Sequence, residues 1–541
     1  MKALLVLARK VRRAIPVALT GLVAATCSSA RAADGYATVN GDTTGGQAGP
    51  TVTVSNEVDF ASYAKTNVPY VVQIVGTITT NISAGLSLAA DKTIIGLGTN
   101  ATFIGRLKLS GPTVSNIVFR NLFISDPFGS DGITIDNGAH HVWVDHCTFY
   151  DCSDGEVDVT EQADYVTVSW CKFFYITQGS HRFVNLVGSD DALTNDLGTL
   201  HVTFHHNWWG PLCQERMPRV RFGLNHVYDN YYDCSNNNYC VGVGTDCQIL
   251  LENNSFDHVT NIWKNYSSSD QQGLIHWNDG NVFTNGTTVP TWASNSTVFT
   301  PPYDYTLDSA TGLAVVVTNN AGAGHLPLAA FTASPTNGSP PLTVMFTDAS
   351  TGFEPLSLFW DLGDGATTNT ESSASFTHTY ATADTYTVTL VASNLAGASL
   401  TASNNPITVF TPSQAWQMHY FGCIDCPQAA DTADPDGDGQ NNLAEFLAGT
   451  DPTSALSSLR IVSATKTGDD VLITWTTAGG RTNAVQASSG DETGGYTTNF
   501  LDITTPPHII IPGNGDATNH YLDEGGATNT PSRFYRIRLV P

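Results

Sequence analysis

Three arginines, Arg216, Arg219 and Arg221, fall within six residues in the stretch Q-E-R-M-P-R-V-R-F-G (214 to 223) of a chain whose formal net charge is -26. Such a concentration of guanidinium groups asks for an anionic ligand. A surface loop whose arginines merely pair with the chain's carboxylates would not need three together. Side chains alternate faces along extended backbone, so Arg219 and Arg221 share a face, and Pro218 constrains the path that aims Arg216. Carboxylates gather upstream. Asp131 lies in G-S-D-G (129 to 132), and D-G-E-V-D (154 to 158) contributes Asp154 and Asp158. Alone these are Asp-rich turns, solvated by default. On neighbouring strands about 4.8 Å apart they would be close enough to share one hard cation such as Ca2+, which collects carboxylate and carbonyl oxygens.

A second oxygen-rich motif, D-P-D-G-D-G-Q-N-N-L-A-E (434 to 445), satisfies the D-x-D-x-D-G-x(5)-E calcium loop in full. Asp434, Asp436, Asp438, the Gln440 carbonyl, Asn442 and Glu445 are the expected ligands, and Gly439 makes the sharp turn. Asn441 replaces the usual apolar residue of the loop, which therefore resembles thrombospondin-type or dockerin-like calcium loops more than a paired sensor EF-hand. Its expected job is to stiffen a domain junction. Cys423 and Cys426, just before it, could form a small disulfide or bind metal, but the lack of a second pair speaks against zinc.

The elements that must position the first group show themselves as a repeat. Asn or Cys followed two residues later by an aromatic recurs at Asn121, Cys147, Cys171, Asn207, Asn230, Asn254 and Asn281, at intervals of 26, 24, 36, 23, 24 and 27 residues. A near-constant period in that range marks a solenoid. Strand-forming runs such as His141-Val142-Trp143-Val144 make it a right-handed parallel β-helix rather than a leucine-rich horseshoe. The repeated residues themselves are expected to stack in interior ladders and carry packing, not chemistry. The one long interval holds an excursion, Ile176 to Thr199, rich in His, Asp and Ser, and excursions from one side of a solenoid commonly form its binding face.

Taken together, V-W-V-D-H-C-T-F (142 to 149), D-G-E-V-D, D-Y-V-T-V-S-W (164 to 170), V-T-F-H-H-N-W-W (202 to 209) and E-R-M-P-R-V-R-F-G-x-x-H-V-Y-x-N-Y-Y (215 to 232) resemble the family 1 pectate lyases over roughly residues 34 to 325. The resemblance implies that Asp131, Asp154 and Asp158 hold calcium, that Arg216 removes a proton, and that Arg221 binds a substrate carboxylate, with Arg219, Arg182 and His181 as further substrate contacts. Elimination across a uronic acid takes a weakly acidic proton alpha to a carboxylate, and a cation on that carboxylate stabilises the developing charge. Arginine is an awkward base because its unperturbed pKa exceeds about 12, so neighbouring cations must depress it and an alkaline optimum is expected. His206 or His181 is the rival base. Two positions depart from the pattern. Phe183 stands where the family usually has a lysine, so Arg182 would take that role by a register shift or the site accepts a less charged substrate. A further acidic ligand of some members would fall near Gly129 and is missing. Alternative readings are a pectin lyase acting on methyl-esterified substrate without calcium, which the three aspartates oppose, and a non-catalytic polysaccharide-binding β-helix, which Phe183 favours and R-M-P-R-V-R opposes.

The fold class that follows is all-β, a right-handed parallel β-helix followed by small β-sandwich domains. Only 13% of the residues are charged, and Gly, Thr, Asn and Ser are plentiful, a composition of turn-rich β structure. Residues 1–32 read as a signal peptide, with Lys2, Arg9, Lys10, Arg12 and Arg13 before an apolar run and Ala30-Arg31-Ala32 as the cleavage site, so secretion is expected. Residues 33–325 form the β-helix. Residues 326–411, with W-D-L-G-D-G (360 to 365) and H-T-Y-x(5)-Y-T-V-T-L (378 to 390), resemble a PKD-type sandwich in which Trp360 is core and Gly363 and Gly365 serve the turn. A calcium-loop linker (412–457) and a C-terminal β-sandwich of unread role (458–541) follow. Of ten cysteines, Cys27 leaves with the signal and seven lie between Cys147 and Cys247, an odd number that leaves at least one thiol free or intermolecular. The acidity disfavours nucleic acid and anionic membranes. No stretch is long enough to span a bilayer, and the expected partner is the polysaccharide pectate, or homogalacturonan, met by a monomer.

Overall fold

A computed structural model describes residues 33–179, 181–277, 280–287, 296–353, 356–403, 406–528 and 532–540. The predicted signal peptide, 1–32, lies outside the described residues. Each coil of the N-terminal part lays one strand on each of three parallel sheets of ten, nine and eight strands. One coil runs Ser115–Arg120, Phe123–Ser125, Ile133–Asp136; the next runs His140–Asp145, Thr148–Tyr150, Val157–Val159. Those pairings are parallel and in register, His140 opposite Ser115 and Ile133 opposite Val157, so like positions stack coil upon coil.

The predicted ladders are where stacking puts them. Asn230 N donates to Asn254 Oδ1 at 3.0 Å, Asn207 N to Asn230 Oδ1 at 2.8 Å, and Cys171 N to Asn207 Oδ1 at 2.9 Å. Two residues on, Phe149, Phe173, Trp209, Tyr232, Phe256 and Phe283 form a continuous column with ring centroids 4.4 to 5.9 Å apart. The ladder satisfies backbone N–H groups at a corner where no strand can, and the aromatics fill the bore beside it. Seven cysteines, Cys147 through Cys247, are free and buried in this core, so the odd thiol expected is one of seven inert ones.

Beyond residue 327 the strand pairing becomes antiparallel, apart from one short parallel pair, Asn337–Gly338 with Ile407–Val409. Phe331–Ser334, Leu342–Asp348 and Ser375–Tyr380 form one small sheet, and Thr367–Glu371, Ser357–Asp361 and Thr389–Asn394 form the centre of another. Between them Trp360 is fully buried, its indole N–H donating to Thr370 Oγ1 at 2.9 Å, while Gly363 and Gly365 turn at positive φ. The helices Pro412–Phe421 and Asn442–Ala448 flank the acidic loop, and Cys423 and Cys426 are joined as a disulfide. The last strands, Arg460–Thr467, Asp470–Ala478, Thr482–Gly490, Asp516–Asp523 and Ser532–Val540, close two sheets on Ile473, Trp475 and Val485. Among the described residues no helix is long and apolar enough to cross a membrane.

Candidate active site

The eight-stranded sheet carries the candidate site. Its strands Ile133–Asp136, Val157–Val159, Leu186–Val187 and Arg219–Val220 lie side by side, with Thr134 opposite Asp158 and Leu186 opposite Arg219. Val157 and Val159 point into the bore, so alternation turns Asp158 outward. Asp131 arrives from the turn before its strand and accepts from Thr134 Oγ1 and from the Gly155 N–H at 3.0 Å. Asp158 accepts from the Leu186 N–H at 3.0 Å and folds back over Gly155, where an added Cβ would meet its carboxylate at 2.1 Å. Gly155 is thus the floor between Asp131 and Asp158. Its neighbour Asp154 reaches the other side, with its Oδ1 2.8 Å from His181 Nε2 and 3.7 Å from Arg216 Nη1.

Asp131 and Asp158 are both at least nine-tenths buried, and the cations near them are few: Arg106 stands 3.6 Å from Asp131. Burial pushes the Asp131 carboxyl up, and burial together with the charge of Asp131 pushes Asp158 well above the ordinary carboxylate range. Two buried acids facing each other, with an oxygen-only donor set and a glycine cradle, fit a hard divalent cation. The three do not close to the mutual 4.8 Å spacing that Asp434, Asp436 and Asp438 show, because Asp154 is drawn to His181 and Arg216. Glu156, which strict alternation would place with them, is fully buried with both oxygens unpartnered. The strand begins only at Val157, so alternation does not govern it.

Arg216 follows the same wall. It sits at φ 62°, its carbonyl accepts from the Asn185 N–H at 2.6 Å, and its guanidinium lies 4.6 Å from the centroid of the Phe183 ring. Phe183 is placed by a parallel bridge to Glu215, and His181 packs on it at 4.0 Å. The position expected to offer a lysine therefore offers an aromatic shelf under Arg216. Arg182, proposed as a substitute cation, has its backbone carbonyl bound by Gln214 N, and its Nε finds no partner among the described residues. Arg219 lies 4.2 Å from the Tyr266 ring centroid with its Nε likewise unpartnered. Arg221 is buried and held, Nε donating to Asp191 Oδ1 at 2.8 Å and Nη1 to the Gly188 carbonyl at 2.7 Å. Burial, and then the charge of Arg219, lower its proton affinity. Sequence reading missed Asp191, Thr134 and Arg106; Asp191 sits in the His- and Asp-rich excursion that was legible as a binding face. His206, the rival base, follows the strand Val202–His205 of the ten-stranded sheet and makes none of these contacts.

The acidic loop is separate from this wall. Asp434 accepts from Gly437 N at 2.9 Å and Gly439 N at 3.0 Å, and Asp438 accepts from Gln440 N at 2.7 Å. Asp436 Oδ2, Asp438 Oδ2 and both oxygens of the fully buried Glu445 are buried without partners. Such orphaned acceptors fit a bound cation. Asn442 turns its amide N–H groups to the Gln428 and Ala430 carbonyls, leaving its Oδ1 as the free atom.

The chain is a parallel β-helix with acidic and basic groups together on one outer wall, and comparison with known proteins gives its family. A model of the pectate lyase family matches residues 11–326, and one of the PKD domain matches 328–407. The chain belongs to the pectate lyase family and is a polysaccharide lyase. A pectate trisaccharide-lyase of Bacillus licheniformis is 33% identical over 316 residues, covering 54% of this chain and 86% of that one. A pectate lyase of Emericella nidulans is 35% identical over 271 residues, covering 47% and 78%. Among solved structures, a pectate lyase from a Bacillus species in complex with trigalacturonate is 28% identical, covers 54% of this chain and 99% of its own, and superposes with a TM-score of 0.47.

Proposed function

We propose that this lyase is secreted and calcium-dependent, and that it cleaves α-1,4-linked galacturonan by β-elimination to give 4,5-unsaturated products. The observation that carries the reading is the meeting of Asp131, Asp154 and Asp158 with Arg216 on one wall of the eight-stranded sheet. Ca2+ held by the three aspartates would neutralise a substrate carboxylate and so acidify the proton alpha to it. Arg216 takes that proton from C5, the C5–H electron pair forms the C4–C5 double bond, and the C4–O4 pair departs with O4, which takes a proton from solvent and becomes the hydroxyl of the released chain. Phe183 limits how far Arg216 can retreat, and Arg221, aligned by Asp191 and Gly188, offers its remaining N–H groups to a carboxylate. In the acidic loop Asp434, Asp436, Asp438, Glu445, the Gln440 carbonyl and Asn442 would hold a second, structural calcium. Action as a monomer and the division into 33–325, 326–411, 412–457 and 458–541 belong to the same proposal.

One assay tests it. Polygalacturonate and highly methylated pectin are each offered with calcium or with chelator, and the ultraviolet absorbance of the new double bond is followed. Activity on polygalacturonate that chelator abolishes is expected. Activity confined to methylated pectin and indifferent to chelator would instead make this a pectin lyase.

A further inference from the structure

On the ten-stranded sheet, away from the aspartate wall and from the acidic loop, ligand atoms converge again. On six successive coils the residue after the strand of this sheet is a non-glycine at positive φ, from Asn121 to Asn253; two neighbours in that series are His206 (φ 54°) and Asp229 (φ 51°), stacked by the register of His205 with Tyr228. The chain returns over this corner after the last coil. There Asp308 donates its N–H to Asp229 Oδ2 at 2.9 Å and brings its own carboxylate to 3.3 Å from His206 Nε2.

His205 Nε2 lies 3.0 Å from Asp34 Oδ1, and its Nδ1 lies 2.9 Å from His206 Nδ1, so hydrogen bonds tie the His206 ring through His205 to Asp34. On its other side His206 Nε2 faces Asp308 Oδ2 (3.3 Å) and Asp229 Oδ2 (4.0 Å). One imidazole nitrogen and two carboxylates thus meet at one point. Asp229 is fully buried and its Oδ1 accepts no hydrogen bond among the described residues. Stacking on Trp170 at 4.2 Å fixes the plane of His206, whose side chain is itself buried.

We propose that His206, Asp229 and Asp308 form a site for a divalent cation of the zinc class, which fastens the returning segment to the coil corner. Donor atoms bound at about 2.0–2.2 Å to one ion lie about 3 to 4 Å from each other; His206 Nε2 stands at 3.3 and 4.0 Å from the two carboxylates, and all three ligand atoms lie within 4.8 Å of one another. A mixed imidazole and carboxylate set selects Zn2+ over Ca2+, whose ligands are oxygens. The relay through His205 to Asp34 is the outer support a metal-bound imidazole requires. Asp308, half exposed, leaves the ion a way in.

The full chain, stripped with chelator and returned to buffer, is titrated with Zn2+ by calorimetry and with Co2+ as a visible-absorbing stand-in. One equivalent of Zn2+ should bind and raise the thermal midpoint, and binding should survive the combined changes D131N, D154N, D436N and D438N. His205→Ala should weaken it about 10- to 100-fold through loss of the outer support alone, and Asp229→Asn should abolish it. If Asp229→Asn does not fold, Asp308→Asn on the exposed segment tests the same point. Zn2+ affinity unchanged in Asp308→Asn, or a midpoint that climbs between pH 7 and 5 and ignores Zn2+, would overturn the proposal; a proton would then hold the corner.

Discussion

Phe183 is the residue that most sets this wall apart, because its ring faces the guanidinium of Arg216 at 4.6 Å where the family pattern leads one to expect a charge. A cation over an aromatic face gains about 0.5–1 kcal/mol when partly exposed, enough to hold a rotamer and too little to fix a residue that must move. Replacing Arg216 by Lys keeps the charge and loses the reach. We expect kcat on polygalacturonate to fall about 10²- to 10⁴-fold, the range of a positioned proton acceptor, with KM and circular dichroism nearly unchanged. A loss confined to KM would make Arg216 a binding residue. Phe183→Lys should lower KM for polygalacturonate several-fold by adding a cation for uronate carboxylates. An unchanged KM would show that position 183 does not meet substrate. The residue types here were legible, three arginines and three aspartates in a sparse-charge chain. Their partners were not: Asp191 on Arg221 and His181 on Asp154 come from an irregular excursion whose path no periodicity dictates.

At the scale of the element, the ladder holds the coils in register. Asn230 receives the N–H and an amide proton of Asn207 and donates to the Phe204 and Tyr228 carbonyls and to Asn254, all buried. Asn230→Ala should cost about 3 kcal/mol in chemical denaturation, since each buried group stranded costs about 1–3 kcal/mol. Asn238→Ala, which removes one exposed hydrogen bond to Glu215, should stay within about 0.5 kcal/mol. Comparable losses at the two positions would deny the ladder its structural role. This element was readable in advance because in-register stacking demands the same residue type every coil, and that demand writes a period into the chain. The 36-residue interval broke the period where the chain leaves the coil, which is also where residues of the proposed site gather.

For the whole molecule, the proposed calcium site in the acidic loop between the PKD sandwich and the last sheets would link calcium to stability. Burial, then the charges of Asp436 and Asp438, push Glu445 up from 4.5 to about 7. The metal-free fold therefore binds this proton more tightly than the unfolded chain; the stabilisation is complete below pH 4.5 and is lost as pH rises through about 7. Calcium replaces the proton, so calorimetric midpoints with calcium and with chelator should separate progressively over that window, and Glu445→Gln should flatten the separation. Midpoints that stay parallel across it would remove Glu445 from the loop's chemistry. The chain alone determined the repeat, the loop motif, the turn glycines of the PKD sandwich and the residue types of the lyase wall, because each is a local or periodic constraint that needs no distant partner. Only the tertiary structure decided which groups face each other: that Asp158 folds over Gly155, that Arg216 lies on Phe183, and that Asp308 meets His206 across 102 positions of sequence. Such meetings depend on how successive coils stack and where the chain returns over them, and separation along a sequence carries no measure of either.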